Sequence, residues 1–180
     1  MRITTYGMRL NEDRVNCLVK EASCNYTALR AIQKPGDAAD ILRDVCDLHN
    51  QAEEHVFMIM LSSANTVKGV SEVSHGGLAM APILPREIFS RALLCGAAAL
   101  ILAHNHPSGD IRPSKQDLEE TQRVCDSGEL LGIRIFDHII IGEDGYHSML
   151  EHGHMSVYEP AQKALWSFDV MECRYIRPSN

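Results

Sequence analysis

The sequence predicts an α/β protein in which a mixed β-sheet is flanked by α-helices. Apolar segments predict strands over residues 56–61, 97–103 and 133–141, of which the first two are continuous apolar runs typical of buried strands. Segments in which apolar residues recur at helical spacing alternate with these runs. Short turns join further strands to the first and the last run, which predicts hairpins at both ends of this order. Because a sheet must cover its apolar faces, the alternation indicates helices packed against one mixed sheet.

Residues 1–50 are expected to form a partly helical N-terminal extension. Apolar residues at helical spacing predict two helices in it, over residues 14–22 and 38–50. The second helix follows a Pro-Gly-Asp turn at residues 35–37, which offers an N-cap.

The central part of the chain carries the predicted sheet. The apolar run 56–61 is predicted to pair with a strand over residues 67–73. Pro85 suits the first turn of a helix and Gly96 suits its end. The apolar run 97–103 follows directly, so this helix leads into a buried strand.

A third helix is expected after Ser114, because this residue suits an N-cap and Gly132 suits the end of the helix. The strand over residues 133–141 follows. A Gly-Glu-Asp-Gly turn at residues 142–145 then leads to a last short strand over residues 146–149.

Composition narrows the classes of function. The chain of 180 residues is 45% hydrophobic, which is ordinary for a domain with a core of its own. Its formal net charge of −7 opposes a strong general attraction to nucleic acid or anionic membranes. None of the six cysteines stands in a Cys-x-x-Cys pair, so we expect reduced thiols rather than a zinc ribbon. The N-terminus lacks an apolar signal segment and no run is long enough for a bilayer, so we expect a cytoplasmic protein without a membrane partner.

Two histidines follow the predicted strand at 97–103. Side chains alternate along a strand, so His104 and His106 point to the same side at its end. After a loop rich in Pro and Gly, Ser114 and Asp117 stand at the N-cap and N3 positions of the next helix. Two imidazoles and one carboxylate form a usual catalytic zinc set, which leaves one position open for water. The pattern therefore predicts that His104, His106 and Asp117 bind zinc.

Each half of this pattern also has an ordinary interpretation. His-x-His at a strand end is often polar edge chemistry, and Ser-x-x-Asp is often only a helix cap. Together, and in this order after a buried strand, the two halves favour a metal site. A second pair, His152 and His154, has no carboxylate in a comparable position, and we interpret it as two ordinary surface residues.

The spacing His-x-His, seven residues, Ser, two residues, Asp resembles the JAMM motif of MPN-domain metallo-isopeptidases. The segment at residues 103–110 resembles the RadC branch of that superfamily. Pro-Arg-Glu at residues 85–87 and Asp-His-Ile-Ile-Ile-Gly at residues 137–142 resemble it too. The resemblance extends over roughly residues 53–150.

The resemblance implies an MPN-like fold, with a RadC-like metallohydrolase domain over residues 51–152 and a C-terminal tail over residues 153–180. RadC proteins usually carry an N-terminal helix-hairpin-helix region, and the sequence shows no Gly-rich hairpin of that kind. We therefore expect a short, stand-alone RadC-like JAB domain. Trp166 and Phe168 are candidates for docking the tail onto this domain or onto a partner.

The resemblance also implies roles for individual side chains. A glutamate before an early central strand is the general base of JAMM enzymes; Glu54 is the match and Glu53 the alternative, although both also suit a solvated junction. Ser114 would donate a hydrogen bond to the oxyanion, or would simply cap its helix. Three further residues are expected to support the site without binding the metal, namely Asp110, Asp137 and His138.

These residues favour a zinc-dependent metallohydrolase. It would be a metallopeptidase or isopeptidase that cleaves an amide bond of a protein or peptide with a zinc-activated water. The alternative is a DNA-associated, repair-like or scaffold module with a structural metal, and the net charge of −7 speaks against it. A zinc deaminase requires His-x-Glu and Pro-Cys-x-x-Cys, which the sequence lacks. The sequence specifies neither the substrate nor the oligomeric state.

Overall fold

The computed structural model describes residues 1–77 and 82–155. Within these residues the strands are β1 (Arg2–Leu10), β2 (Asn16–Asn25), β3 (His55–Leu61), β4 (Val67–His75), β5 (Ala99–Asn105), β6 (Arg134–Ile141) and β7 (Tyr146–Ser148). The helices are α1 (Pro35–Cys46), α2 (Pro85–Cys95) and α3 (Lys115–Leu131), with a short 3-10 helix at Leu48–Asn50.

All seven strands belong to one sheet in the order β2-β1-β4-β3-β5-β6-β7. The pairs β1–β4 and β5–β6 are parallel, and the other neighbours are antiparallel. The predicted mixed α/β sheet flanked by helices is therefore confirmed.

Both faces of the sheet are covered, which explains why its central strands read as unbroken apolar runs. In β5, Leu100 and Leu102 pack into a core beneath α2 and α3. Their neighbours Ala99, Ile101 and Ala103 pack into a second core beneath α1. The alternation continues to His104, which therefore faces α3 at the end of the strand.

The helix predicted over residues 14–22 is wrong, because these residues lie largely in β2. Val15 and Val19 suggested an apolar helix face, but they are 58% and 42% exposed. An edge strand that buries so little shows the periodicity of neither a strand nor a helix. The β1–β2 hairpin joins the sheet where Thr5 of β1 pairs with Val70 of β4.

The second N-terminal helix exists but begins three residues earlier than predicted. Pro35 occupies the start of α1, a position that needs no backbone N–H donor. Asp37 lies in the first turn, and its Oδ2 accepts hydrogen bonds from the N–H groups of Gln33 (2.8 Å) and Lys34 (3.2 Å). The predicted turn is therefore the first turn of the helix itself.

The remaining elements agree with the sequence prediction to within a few residues. The helices α2 and α3 end at Gly96 and Gly132, which have φ angles of 62° and 69°. The predicted domain boundaries after residues 50 and 152 stay predictions, and Trp166 and Phe168 lie outside the described residues. Within the described ranges, no helix combines the length and the apolar character needed to cross a bilayer.

Candidate metal centre

The end of β5 and the first turn of α3 bring His104, His106 and Asp117 together. The two Nε2 atoms of the histidines are 3.0 Å apart. Asp117 Oδ1 lies 3.5 Å from His104 Nε2, and Asp117 Oδ2 lies 3.6 Å from His106 Nε2. A tetrahedral zinc ion with bonds of about 2.0–2.1 Å holds its ligand atoms roughly 3.3 Å apart. The three side chains thus have the spacing of a zinc site.

A chain of hydrogen bonds orients His104. Thr121 Oγ1 donates to the backbone carbonyl of Asp117 at 2.5 Å, so it can only accept from Nδ1 of His138, which is 2.6 Å away. His138 Nε2 then accepts from His104 Nδ1–H at 2.8 Å. Burial lowers the pKa of His138 to about 4. Burial also lowers the pKa of His104, and the neighbouring His138 lowers it further. Both imidazoles are therefore neutral, and the lone pair of His104 Nε2 points into the site.

His106 is oriented in the same way by the backbone. Its Nδ1 lies 2.5 Å from the carbonyl oxygen of Asp110, which can only accept, so Nδ1 carries the proton. When Nε2 of His106 carries no proton, as a metal ligand requires, its lone pair faces that of His104 Nε2. Two lone pairs 3.0 Å apart repel each other unless a proton or a cation lies between them. This arrangement fits a metal ion.

Asp117 is ionised in this environment. Burial alone would raise its pKa, but the hydrogen bonds with His106 and Ser114 hold the pKa well below its ordinary range. The hydrogen bond to Asp117 in turn raises the pKa of His106, against the effect of burial. A carboxylate beside two imidazoles is the ligand set that zinc accepts.

Glu54 lies on the same side of the sheet as the three candidate ligands. Val56 pairs with His104 across β3 and β5, so two further steps put Glu54 opposite His106. Glu54 is buried, whereas Glu53 is exposed. The geometry therefore distinguishes the two candidates for the base, although it does not test the chemical role of either.

Asn105 holds the segment that carries Glu54. Its Oδ1 accepts from the His55 N–H at 2.8 Å, and its Nδ2 donates to the carbonyls of Gln51 (3.2 Å) and Glu53 (3.0 Å). Sequence reasoning did not assign this role to Asn105. The available signal was its position in the strand. Because side chains alternate, a residue between two histidines that share one face of the sheet points to the opposite face.

Ser114 is the N-cap of α3. Its Oγ accepts from the N–H of Asp117 at 3.1 Å, and its own N–H donates to Asp117 Oδ2 at 2.7 Å. Because the hydroxyl accepts in the cap, its proton remains to be donated elsewhere. The residue is exposed beside the candidate ligands, so a substrate can reach it.

Of the three expected supporting residues, His138 alone contacts a candidate ligand through its side chain. The Asp110 carboxylate pairs with Arg112 at 2.6 Å, which lowers its pKa to about 2, and only its backbone carbonyl meets His106. Asp137 Oδ2 accepts from Ser148 at 2.6 Å, so its carboxylate organises the end of β7. Thr121, which orients His138, was missed; its position one helical turn after Asp117 was the available signal.

His152 and His154 gather around His147 rather than around a carboxylate. The rings of His147 and His152 stack with centroids 3.9 Å apart, and the His147 and His154 centroids are 5.4 Å apart. This cluster is not among the groups of three converging ligand atoms found in the described part of the chain.

Comparison with known proteins identifies the family to which the chain is similar. The family model of the RadC-like JAB domain matches residues 32–154. A UPF0758 protein of Rubrobacter xylanophilus is 42% identical over 122 residues, which cover 68% of this chain and 52% of that protein. A UPF0758 protein of Staphylococcus haemolyticus is 40% identical over 126 residues, or 70% of this chain and 54% of that protein. The chain thus matches about half the length of these curated relatives.

Proposed function

The chain belongs to the family of RadC-like JAB domain proteins, and from this premise we propose that it is a zinc-dependent metallohydrolase that cleaves an amide bond. One observation carries the proposal. The ligand atoms of three side chains converge: the Nε2 atoms of His104 and His106 are 3.0 Å apart, and the two carboxylate oxygens of Asp117 lie 3.5 and 3.6 Å from them. Burial favours the neutral form of His104 and Asp117 is ionised, and a zinc ion would displace any proton on His106 Nε2.

These three residues would hold the zinc ion. Zinc in such a set supplies Lewis-acid chemistry, because it makes a water molecule more acidic and polarises a carbonyl group. His106 is only half-buried, so the site is open to solvent on that side. Water and a substrate therefore have a path to it.

Glu54 supplies the proton transfer in this proposal. Its carboxylate would take a proton from the attacking water and give it to the leaving amine. The residue is buried opposite His106. The pKa of His106 is raised mainly by the hydrogen bond to Asp117, and the charge of Glu54 raises it further. A buried carboxylate near the candidate ligands suits a general base better than the exposed Glu53.

Ser114 donates to the oxyanion that forms when water adds to an amide. Its lone pair serves the cap of α3, while its proton stays available for the substrate. The substrate class, a peptide or an isopeptide bond of a protein, rests on the resemblance of the motif to the JAMM enzymes. The relatives' names specify no activity.

The cysteines support a reducing compartment, and we place the protein in the cytoplasm. The five cysteines in the described part of the chain are all free. Disulfides persist in oxidising compartments and are rare in the cytosol.

The test measures zinc content together with amide hydrolysis. We expect each of His104→Ala, His106→Ala and Asp117→Ala to lose one equivalent of the zinc that the wild type binds, by elemental mass spectrometry. Wild-type protein should release fragments from a library of peptides and isopeptides, and a chelator should stop the release. His49→Ala is the control. Unchanged zinc in the three variants, or no cleavage by zinc-loaded protein, would refute the proposal.

A further inference from the structure

A second group of potential metal ligands lies on the opposite face of the sheet. In the described part of the chain, two groups of three His and carboxylate side chains bring their ligand atoms within 4.8 Å of one another. One is the centre described above, and the other consists of His55, Glu72 and His75. We propose that these three residues form a second site for a divalent transition-metal ion, which binds zinc. This site is independent of the proposed hydrolase activity.

A β-bulge brings the three side chains to one face. Glu72 and His75 are three residues apart, so a regular strand would point them to opposite faces. In the pairing of β3 with β4, however, Val73 is an extra residue without a partner. A bulge of this kind re-aims side chains. His75 therefore lies opposite His55, and Glu72 lies opposite Phe57, which packs against the core beneath α1.

The burial of the bulged strand agrees with this description. Val73 is buried in the core beneath α2 and α3, while Glu72 and His75 are exposed. Both exposed side chains consequently lie on the α1 side with His55. Glu54, the next residue along the chain from His55, faces the first site. The two groups are therefore separated by the thickness of the sheet.

The distances fit a metal ion. Glu72 Oε1 lies 2.8 Å from His55 Nδ1 and 3.3 Å from His75 Nδ1. The two imidazole rings stack with centroids 5.5 Å apart at 26°. Since tetrahedral zinc spaces its ligand atoms roughly 3.3 Å apart, small side-chain rotations would complete three bonds. Two imidazoles and one carboxylate favour zinc over calcium or magnesium, which prefer oxygen ligands.

The site is open to solvent. The side chains of His55, Glu72 and His75 are 18%, 41% and 65% exposed, so an ion can enter and water can complete its coordination. A bound ion would tie the first residue of β3 to the last residue of β4. The alternative explanation is an ordinary ion pair between Glu72 and one histidine. Such a pair would explain the contact with His55 or the contact with His75, but it would need only one of the two imidazoles. The requirement for all three side chains therefore separates the two explanations.

The experiment removes the first site and titrates the second with zinc alone. In full-length His106→Ala/Asp117→Asn protein, we expect isothermal titration calorimetry to show one remaining equivalent of zinc and thermal melting to show a higher Tm with zinc. Adding His75→Gln or Glu72→Gln should weaken this binding by more than about tenfold, because even the loss of a supporting hydrogen bond costs about 10–100-fold. Both residues are exposed, so circular dichroism should show an unchanged fold.

His49→Gln is the matched control. His49 Nδ1 lies 3.8 Å from Asp47 Oδ1, a His–carboxylate pair that belongs to neither group of three, so its loss should leave zinc binding unchanged. Absence of zinc binding in the first-site variant, or binding that survives His75→Gln and Glu72→Gln, would overturn the second site. Failure of the hydrolase proposal would give a different result. Wild-type protein would then bind a single equivalent of zinc, and His75→Gln alone would remove it.

Discussion

Two backbone hydrogen bonds hold Glu54 against the loop after β4. Its N–H donates to the carbonyl of Gly77 at 3.2 Å, and its carbonyl accepts from the N–H of Gly76 at 2.9 Å. These bonds fix the residue at the start of β3, so its side chain has a defined position opposite His106. A fixed carboxylate beside a metal site is suited to proton transfer.

We therefore expect Glu54→Gln to retain zinc but to lower turnover of the cleaved amide by at least about 100-fold, because an amide cannot accept the proton. Zinc content and kcat should be measured on the same preparation. Glu53→Gln, one residue away and exposed, is the matched control and should keep its activity. The opposite result, a loss confined to Glu53→Gln, would make Glu53 the base.

The second prediction at this scale concerns Thr121. Its hydroxyl fixes the tautomer of His138, and His138 fixes that of His104. Thr121→Val keeps the shape but removes the acceptor for His138 Nδ1–H, so we expect zinc affinity to fall about 10–100-fold. Zinc titration with a competing chelator measures this change.

Thr121→Ser distinguishes the contribution of the hydroxyl group from that of the methyl group, because it keeps the first and removes the second. Serine keeps the oxygen, so it should retain most of the zinc affinity that valine loses. If serine weakens zinc binding and valine does not, the methyl group and not the hydrogen bond supports the site. The pattern His-x-His with Asp predicted the candidate ligands, but the partner of His104 Nδ1 depends on β6 and α3 packing side by side, which spacing alone does not specify.

At the scale of elements, the first turn of α3 combines a helix cap with the candidate metal site. Ser114 and Asp117 exchange hydrogen bonds in a capping box, and Asp117 also faces the histidines. We expect Ser114→Ala to lower the free energy of unfolding by about 1 kcal/mol through the lost cap. We also expect it to lower kcat by about 10²–10³ through the lost oxyanion donor.

Ser114→Asp distinguishes these two effects. A carboxylate caps a helix as well as serine does, but it has no proton to donate. Urea unfolding should show near wild-type stability for this variant, whereas kcat should stay as low as in Ser114→Ala. Full activity in Ser114→Ala would mean that the residue serves the helix alone.

The elements also show what a sequence does and does not specify. Strands β3 and β5 are buried on both faces, so they appear as apolar runs, and Gly96 and Gly132 end α2 and α3 as predicted. Strand β2 carries most of its residues exposed at the edge of the sheet. Its structure is determined by pairing with β1 far more than by burial, and a pairing partner leaves no periodic signal.

At the scale of the whole molecule, the N-terminal hairpin contributes to the core that lies beneath α1. Ile3 of β1 is 1% exposed and packs in that core with residues of α1, β3 and β5. The same strand pairs with β4, whose far end carries Glu72 and His75. The hairpin is therefore packed as a part of the sheet that holds both candidate metal sites.

From this packing we expect Ile3→Ala to lower the free energy of unfolding of the whole described region by about 2–5 kcal/mol, the usual cost of a buried cavity. Native-state hydrogen exchange should show reduced protection in β5 as well as in β1, because both belong to one cooperative unit. Val15→Ala, at a site 58% exposed, should change stability by less than about 0.5 kcal/mol. Protection lost in β1 and β2 alone would instead make residues 1–50 a separate extension, as the sequence suggested.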